Sequence, residues 1–144
     1  HLTGLDQRKM GVRPGADILI QADILQQEFP PASFDGIVLV STLEHIGLGA
    51  YAEQKKGDPL DPDGDTHALQ RMASWLLPGG WLYFDVPYRP DGPYRAHLKH
   101  RAYDPDALEA RLIQPCGLRV RYTEVQTPRH PDAPYIAVVL ERPV

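Results

Sequence analysis

The stretch SFDGIVLVSTLEHIG, residues 33–47, decides the fold of this chain. Its centre, GIVLV at residues 36–40, is a continuous aliphatic run, which is typical of a parallel strand that is buried on both faces. Polar residues follow at once and indicate a turn. Open α/β sheets bind their ligands at the carboxyl ends of their strands. The stretch therefore predicts a central strand and, directly after it, a binding site.

Two shorter apolar runs precede this strand and extend the predicted sheet toward the start of the chain. Residues 2–6 and 18–21 are both predicted to form strands. An acid closes each one, because Asp6 ends the first run and Asp23 follows the second. The polar, glycine-containing stretch between the runs predicts a loop.

A helical pattern follows the central strand and its loop, over residues 65–77. Apolar residues recur there at helical spacing, namely Leu69, Met72, Ala73 and Leu76. Asp65 or Thr66 is available as the N-cap, and the sequence PGG at residues 78–80 ends the helix. Residues 81–86 are then predicted to form another strand.

The last third of the chain completes the pattern. An Asp-Pro-Asp turn opens a second predicted helix over residues 104–113. Residues 118–126 and 135–141 predict two strands joined by a proline-rich loop, which indicates an antiparallel hairpin. Strands that alternate with helices predict a layered α/β sheet, and the length of 144 residues predicts one domain over residues 1–144.

Composition and charge exclude several classes of function. The net charge is −4 and the acids and bases are interspersed, so no broad basic face for nucleic acid is predicted and a small-molecule partner is favoured. No apolar run approaches the roughly 20 residues that a membrane helix needs, and we expect a cytoplasmic protein without membrane contact. Cys116, the single cysteine, predicts a buried and inert thiol.

The order and spacing of these motifs resemble the later two thirds of class I methyltransferases, which transfer a methyl group from S-adenosylmethionine. Residues 33–47 resemble the central strand and turn of that family, and LLPGGWLYFDVP, residues 76–87, resembles its next strand. The resemblance implies a Rossmann-like three-layer sandwich with a mostly parallel sheet and an antiparallel C-terminal hairpin. The first strand, first helix and glycine-rich loop of the family have no counterpart after His1. We therefore expect a gap between the strands that contain Leu5 and Val38.

The same resemblance implies a set of residues that bind the cofactor. Asp6 corresponds to the acid that accepts hydrogen bonds from the ribose hydroxyls. Asp23 corresponds to an acid that contacts the adenine amino group, Ile24 to an apolar residue on the adenine face, and Ser41 is also assigned to the cofactor. The alternative for both acids is a structural one, in which each carboxylate caps a loop.

Glu44 and His45 follow the central strand and are the predicted catalytic residues. A histidine at this edge is suited to accept a proton from a hydroxyl or amine, since its ordinary pKa is near 6.5. Some methyltransferases with a Glu-x-x-Glu-His pattern here bind a divalent cation, but the first position of that pattern is Ser41, so no metal is predicted. The alternative is that both side chains only hold the following loop in place.

Two loops are candidates for substrate contacts. Residues 87–104 are rich in aromatic and basic side chains and predict a lid, whose proposed substrate residues are Tyr88, Arg89, Tyr94 and Arg95. Its alternative is a solvated basic loop. Residues 57–65, GDPLDPDGD, lack the spacing of a calcium-binding EF-hand and predict a structural turn with a helix cap. The alternative for this loop is a role in binding substrate or metal.

The sequence thus predicts a methyltransferase that uses S-adenosylmethionine and acts on an oxygen or nitrogen of a small molecule, and a homo-oligomer is possible. One alternative is a methyltransferase-like accessory or scaffold module without cofactor binding or catalysis. Another is a different Rossmann-like enzyme that binds a nucleotide or sugar nucleotide.

Overall fold

The computed structural model describes residues 1–9, 15–49, 60–97, 99–126 and 134–144. The strands in these segments are β1 (Thr3–Asp6), β2 (Ile18–Gln21), β3 (Phe34–Leu39), β4 (Leu76–Pro87), β5 (Arg95–Ala96), β6 (Arg101–Ala102), β7 (Arg119–Gln126) and β8 (Tyr135–Glu141). A 3-10 turn lies at Leu43–His45 and helix α1 at Gly64–Trp75. A second helical segment runs through Pro105–Ala107, Leu108–Ile113 and Gln114–Cys116 as successive α, π and 3-10 turns.

The described strands form three hydrogen-bonded groups. β5 and β6 form a short antiparallel hairpin, and the other six strands are divided between two main groups. β1 pairs with β2 in parallel, and β3 pairs with β4 in parallel. β8 then lies antiparallel between β4 and β7, so the larger group has the order β3-β4-β8-β7. The predicted α/β fold with parallel strands and an antiparallel C-terminal hairpin is confirmed.

A groove separates the two groups of strands. Within the described segments, β1 pairs only with β2 and β3 pairs only with β4, so one edge of β1 and one edge of β3 have no strand partner. Both strands line a groove of about 1200 Å³, to which β1 contributes Leu5 and β3 contributes Val38. The expected gap between these two strands is therefore present.

The hydrophobic core lies between the larger group of strands and the helices. On β4 and β8, buried pairs face each other, such as Phe84 with Val138 and Leu82 with Leu140. Leu69 and Met72 of α1 and Leu112 of the second helical segment pack in the same cluster. The two helices also contact each other, so both cover one face of the sheet.

The helix ends differ in part from the sequence prediction. Helix α1 begins at Gly64 after Asp63, and neither Asp65 nor Thr66 is its cap, because Asp65 is fully buried and bonds to other elements. The second helical segment begins as predicted, with Asp104 accepting a hydrogen bond from the backbone N–H of Ala107. Within the described residues, no helix has both the length and the apolar character needed to cross a membrane.

Two glycines let the turn after β3 approach the loop before α1. Gly47 has a φ of 81°, and a Cβ at this position would lie 2.1 Å from the carbonyl oxygen of Asp61. Gly64 is similar, since its Cβ would lie 2.9 Å from the carbonyl oxygen of Ile46. The Asp61 N–H donates to the Gly47 carbonyl across the same contact. This close backbone contact fixes the turn that carries Glu44 and His45.

We expect Gly47→Ala to lower the free energy of unfolding by about 2 to 4 kcal/mol, because it adds a backbone clash to the cost of a left-handed conformation. Gly117→Ala is the matched control. Gly117 also has a positive φ, 66°, but no atom lies within 4 Å of its added Cβ, so only about 1 kcal/mol is expected. Denaturant unfolding of both variants measures the difference, and equal losses would contradict the contact.

Candidate functional site

The carboxyl ends of β1, β2 and β3 meet around the groove. Asp6 of β1, Asp23 and Ile24 after β2, and His45 after β3 all line it. The structure therefore brings together three of the four residues assigned to the cofactor and one of the two assigned to catalysis. Ser41 and Glu44 are not among the lining residues.

Asp6 is held in place by a neighbouring cation. The Arg8 guanidinium donates from Nε to Asp6 Oδ1 at 3.0 Å and from Nη2 to Asp6 Oδ2 at 2.7 Å, and the Arg8 backbone N–H also donates to Oδ1 at 2.9 Å. A bidentate pair of this kind fixes the plane of a carboxylate. Each carboxylate oxygen has two acceptor sites. Arg8 fills both sites of Oδ1, so Oδ2 is the oxygen that would accept from a hydroxyl. Sequence reasoning missed Arg8, although an arginine two residues after the acid was a visible signal.

Asp23 caps the turn that follows β2. Its Oδ1 accepts from the backbone N–H of Leu25 at 2.9 Å, and its carbonyl accepts from the N–H groups of Gln26 and Gln27. The turn holds Ile24 at the groove, where the side chain also packs against the edge of the core. The capping role and a ligand role are compatible, because no hydrogen bond to Oδ2 occurs within the described structure.

Ser41 is directed toward β4. Its backbone has a φ of 44°, a left-handed conformation that is uncommon for a residue other than glycine. The Ser41 N–H donates to Asp85 Oδ1 at 2.5 Å, and Asp85 is 2% exposed. This buried acid therefore stabilises the sharp turn out of β3. The sequence signal was a single acid inside the apolar strand β4.

Glu44 is a buried carboxyl next to His45. It is 1% exposed, its Oε1 lies 3.7 Å from His45 Nε2, and its Oε2 has no hydrogen-bond partner in the described structure. Burial raises the pKa of Glu44 to about 7; a hydrogen bond from its own backbone opposes the change and the charge of Asp85 supports it. Glu44 therefore changes charge near neutral pH beside the imidazole.

The ring of His45 is oriented by the hairpin of β5 and β6. His45 Nδ1 donates to the backbone carbonyl of Lys99, which is only an acceptor, so Nδ1 carries the proton. In neutral His45, Nε2 is then the basic nitrogen. The rings of His97 and His100 contact each other in the same hairpin, with centroids 5.2 Å apart and planes tilted by 36°. Partial burial and the charges of His97 and His45 lower the pKa of His100.

A buried arginine ties this hairpin to both loops of the site. Arg101 is fully buried and donates from Nη1 to the carbonyl of Ile46 at 2.7 Å and from Nη2 to the carbonyl of Pro62 at 2.9 Å. Longer contacts reach the carbonyls of Glu44 and Asp61. One side chain thus joins β6 to the catalytic turn and to the loop before α1.

Asp65 balances the charge of this cluster. Its carboxylate lies 3.6 Å from Arg101 Nε and accepts from the Tyr103 hydroxyl at 2.8 Å. Arg111 donates to it from Nη2 at 2.7 Å and from Nε at 3.1 Å. Burial and the Asp65 charge raise the pKa of Tyr103, which stays a neutral donor. Sequence reasoning predicted a substrate lid over residues 87–104, with a solvated basic loop as the alternative, and it offered Asp65 as a helix cap. It missed the buried role of Arg101.

The four residues proposed for the substrate do not line the groove. Tyr94 is half-buried, lies 5.7 Å from the Tyr103 ring and is covered by the Arg111 guanidinium at 5.4 Å. Backbone bonds join Tyr88 to Pro134 and Arg89 to Tyr103, and Arg95 is exposed in β5. Arg89 Nε is buried without a hydrogen-bond partner among the described residues. A substrate role for these four residues stays a prediction.

The described part of the acidic loop, residues 60–65, forms a structural turn. Asp61 Oδ1 accepts from the Asp63 N–H at 3.0 Å, and Asp61 Oδ2 bonds to His67 Nδ1 at 2.7 Å. His67 thus has a partner that the sequence did not predict. In the described segments, no three side chains of His, Cys, Asp or Glu are arranged to hold a metal ion. Residues 57–59 and His130 lie outside the described residues.

A family model described as "Caenorhabditis protein of unknown function, DUF268" matches residues 22–113. The matched range includes the central strand, the turn with Glu44 and His45, α1, β4 and the hairpin with Arg101. No curated protein matches the sequence of the chain.

Solved structures of methyltransferases share the fold. The 1,6-didemethyltoxoflavin-N1-methyltransferase of Burkholderia thailandensis, solved with 1,6-didemethyltoxoflavin and S-adenosylhomocysteine, is 17% identical with a TM-score of 0.72. That alignment covers 99% of this chain and 61% of the Burkholderia protein. The N-methyltransferase NodS of Bradyrhizobium japonicum, solved with S-adenosylhomocysteine, is 19% identical with a TM-score of 0.63, and the alignment covers 99% and 67% of the two chains.

The same fold also occurs in a cyclase. The 4+2 cyclase SpnF is 14% identical with a TM-score of 0.63, over 88% of this chain and 56% of SpnF. At these identities the likeness shows a class I methyltransferase-like fold, as the sequence predicted. The fold alone does not specify the reaction.

We expect the stability difference between the wild type and Glu44→Gln to depend on pH. Folding raises the pKa of the Glu44 carboxyl from 4.5 to about 7. Its contribution to the free energy of unfolding is therefore lost as pH rises from 4.5 to 7. Between roughly pH 4 and pH 8, the free energy of unfolding of the wild type should therefore fall by about 3 kcal/mol relative to that of Glu44→Gln. Denaturant unfolding across this range is the measurement, with the exposed Glu109→Gln as control. A constant difference for Glu44→Gln would exclude a buried ionising carboxyl.

Proposed function

The chain belongs to the DUF268 family, and we propose that it is an S-adenosylmethionine-dependent methyltransferase that acts on an oxygen or nitrogen of a small molecule. The observation that carries the proposal is the position of Asp6 and His45 on one groove. They follow different strands of a class I methyltransferase-like sheet, and both lie at its carboxyl edge. This edge is where open α/β sheets bind ligands.

The residues at the first part of the groove fit the nucleoside portion of the cofactor. Asp6 offers a carboxylate whose plane Arg8 fixes, which suits a ribose hydroxyl that donates to Oδ2. Asp23 and Ile24 offer an acceptor and an apolar surface side by side, which suits the amino group and face of adenine. When bound, the cofactor supplies an electrophilic methyl group.

The residues at the end of β3 fit the acceptor side of the reaction. His45 has its proton fixed on Nδ1 by the Lys99 carbonyl, so Nε2 is the nitrogen that takes a proton from a hydroxyl or amine. Ionised Glu44 at 3.7 Å stabilises the imidazolium that results. The Arg101 contacts hold the backbone of this turn, and positioning of the two reactants supplies the remaining rate enhancement.

The substrate side of the proposal includes the loop after β4. Tyr88, Arg89, Tyr94 and Arg95 are proposed to contact the substrate, and the buried unpartnered Nε of Arg89 favours an acidic group on it. Arg95 is part of the hairpin that carries the Lys99 contact to His45, and the other three residues precede this hairpin in the chain. Their proposed role requires that the loop after β4 and the β5–β6 hairpin both contact the substrate at the carboxyl edge of the sheet.

Calorimetric titration of the whole gene product with S-adenosylhomocysteine tests the cofactor. We expect saturable binding, and Asp6→Asn should weaken it by about 10- to 100-fold, because a charged acceptor is worth about 1.5 to 3 kcal/mol. Asp35→Asn is the matched control, since Asp35 is exposed on β3 and does not line the groove. If the wild type does not bind the ligand, the methyltransferase proposal fails and an accessory module without catalysis is favoured.

His45→Ala tests the proposed base. With an acceptor found by screening small alcohols and amines for release of S-adenosylhomocysteine, we expect turnover to fall by about a hundredfold. Affinity for S-adenosylhomocysteine, measured on the same variant, should stay within about twofold because His45 acts on the acceptor. Unchanged turnover would remove His45 as the base and leave the cofactor site untouched.

A further inference from the structure

Strand β7 (Arg119–Gln126) is an open edge of the larger group of strands. It pairs with β8 on one side, and no other strand in the described parts of the chain pairs with its second side. All its residues from Arg119 to Val125 are exposed. They include three large apolar side chains, Val120, Tyr122 and Val125, which are 42%, 51% and 55% exposed. An exposed edge of this length and composition is suited to pair with another strand.

The register with β8 shows which residues of β7 share a face. Val120, Thr123 and Val125 lie opposite Leu140, Val138 and Ile136, so these three share one face of the sheet. The other face carries Arg119, Tyr122, Glu124 and Gln126, which lie opposite the alternate residues of β8. Arg121 is the extra residue at an irregularity between Val120 and Tyr122. Its side chain is on the second face, because it pairs with Glu141 at 2.9 Å.

These faces restrict how β7 can pair with a copy of itself. In an antiparallel pair, opposite residues share a face, so a two-fold axis must pass through a residue and not between two residues. With the axis through Thr123, Tyr122 of one copy lies opposite Glu124 of the other. Beyond the extra residue, Val120 lies opposite Val125, and Arg119 lies opposite Gln126.

This register is complementary in polarity and charge. It places the two exposed valines against each other on one face. On the other face it places the Glu124 carboxylate beside Tyr122 and the neighbouring Arg121 of the second copy. Opposite charges and apolar pairs across strands both stabilise a sheet. Because every contact occurs twice about the axis, the gains are doubled.

We propose that β7 is a homodimer interface, in which two copies pair antiparallel about a two-fold axis at Thr123 and join their sheets into one continuous sheet. The occupant is a second copy of this chain, because the strand complements itself in charge and polarity. The interface lies at the far edge of the larger group of strands from the groove. It is therefore independent of the proposed methyl transfer.

Cysteine crosslinking of the whole protein tests the axis. In a Cys116→Ser background, Thr123→Cys should form a disulfide-linked dimer under mild oxidation, because only the residue on the axis lies directly opposite its own copy. Val125→Cys is the matched control on the same strand and face. It should not crosslink, since its two copies are displaced along the strands, and the double variant Val120→Cys with Val125→Cys should crosslink.

Sedimentation velocity of the wild type over about a hundredfold range of protein concentration tests the association without any introduced cysteine. We expect a reversible dimer, and Glu124→Arg should raise its dissociation constant by about tenfold, because the introduced guanidinium would face Arg121 of the second copy. Glu109→Arg makes the same charge change at an exposed position away from β7 and should leave the dimer unchanged. A monomer at every concentration, or equal crosslinking by Thr123→Cys and Val125→Cys, would overturn the proposal.

Discussion

The buried guanidinium of Arg101 is the interaction on which the site depends. A fully buried cation is costly unless it is paired and hydrogen-bonded. Arg101 meets this requirement with backbone carbonyls from two loops and with the Asp65 carboxylate. Because most of its partners are main-chain atoms, the side chain fixes the path of both loops and not only the position of two side chains. The turn with His45, the loop before α1 and the β5–β6 hairpin are thereby one unit.

Much of the fold was predictable because local patterns and tertiary packing agree. The aliphatic run before Ser41, the Asp-Pro turn at Asp104 and the terminal strands all have the expected positions. The predicted cap of α1 was wrong because Asp65 lies in the interior, where Tyr103 and Arg111 donate hydrogen bonds to it. Sequence patterns do not show such long-range pairs, since these partners are 38 and 46 residues away along the chain.

The candidate site was predictable to a smaller extent. Strand-end acids and a histidine after the central strand are signals of position, and the structure brings Asp6, Asp23 and His45 to one groove. The electrostatic state of the site was not predictable. The raised pKa of Glu44 depends on its burial and on Asp85, a residue of a different strand. Arg8 and Asp85 each stabilise a backbone or side-chain conformation that spacing alone does not reveal.

The contact between His45 and Lys99 has a consequence for tracing this site through evolution. The imidazole is oriented by a main-chain carbonyl, so the amino acid at position 99 is free to vary while the geometry is retained. Aligned sequences would show no preferred residue there, although insertion or deletion of one residue in the hairpin would move the carbonyl away. Selection at this position therefore acts on loop length. The site in related sequences is better recognised by the number of residues between Arg95 and Arg101 than by the identity of those residues.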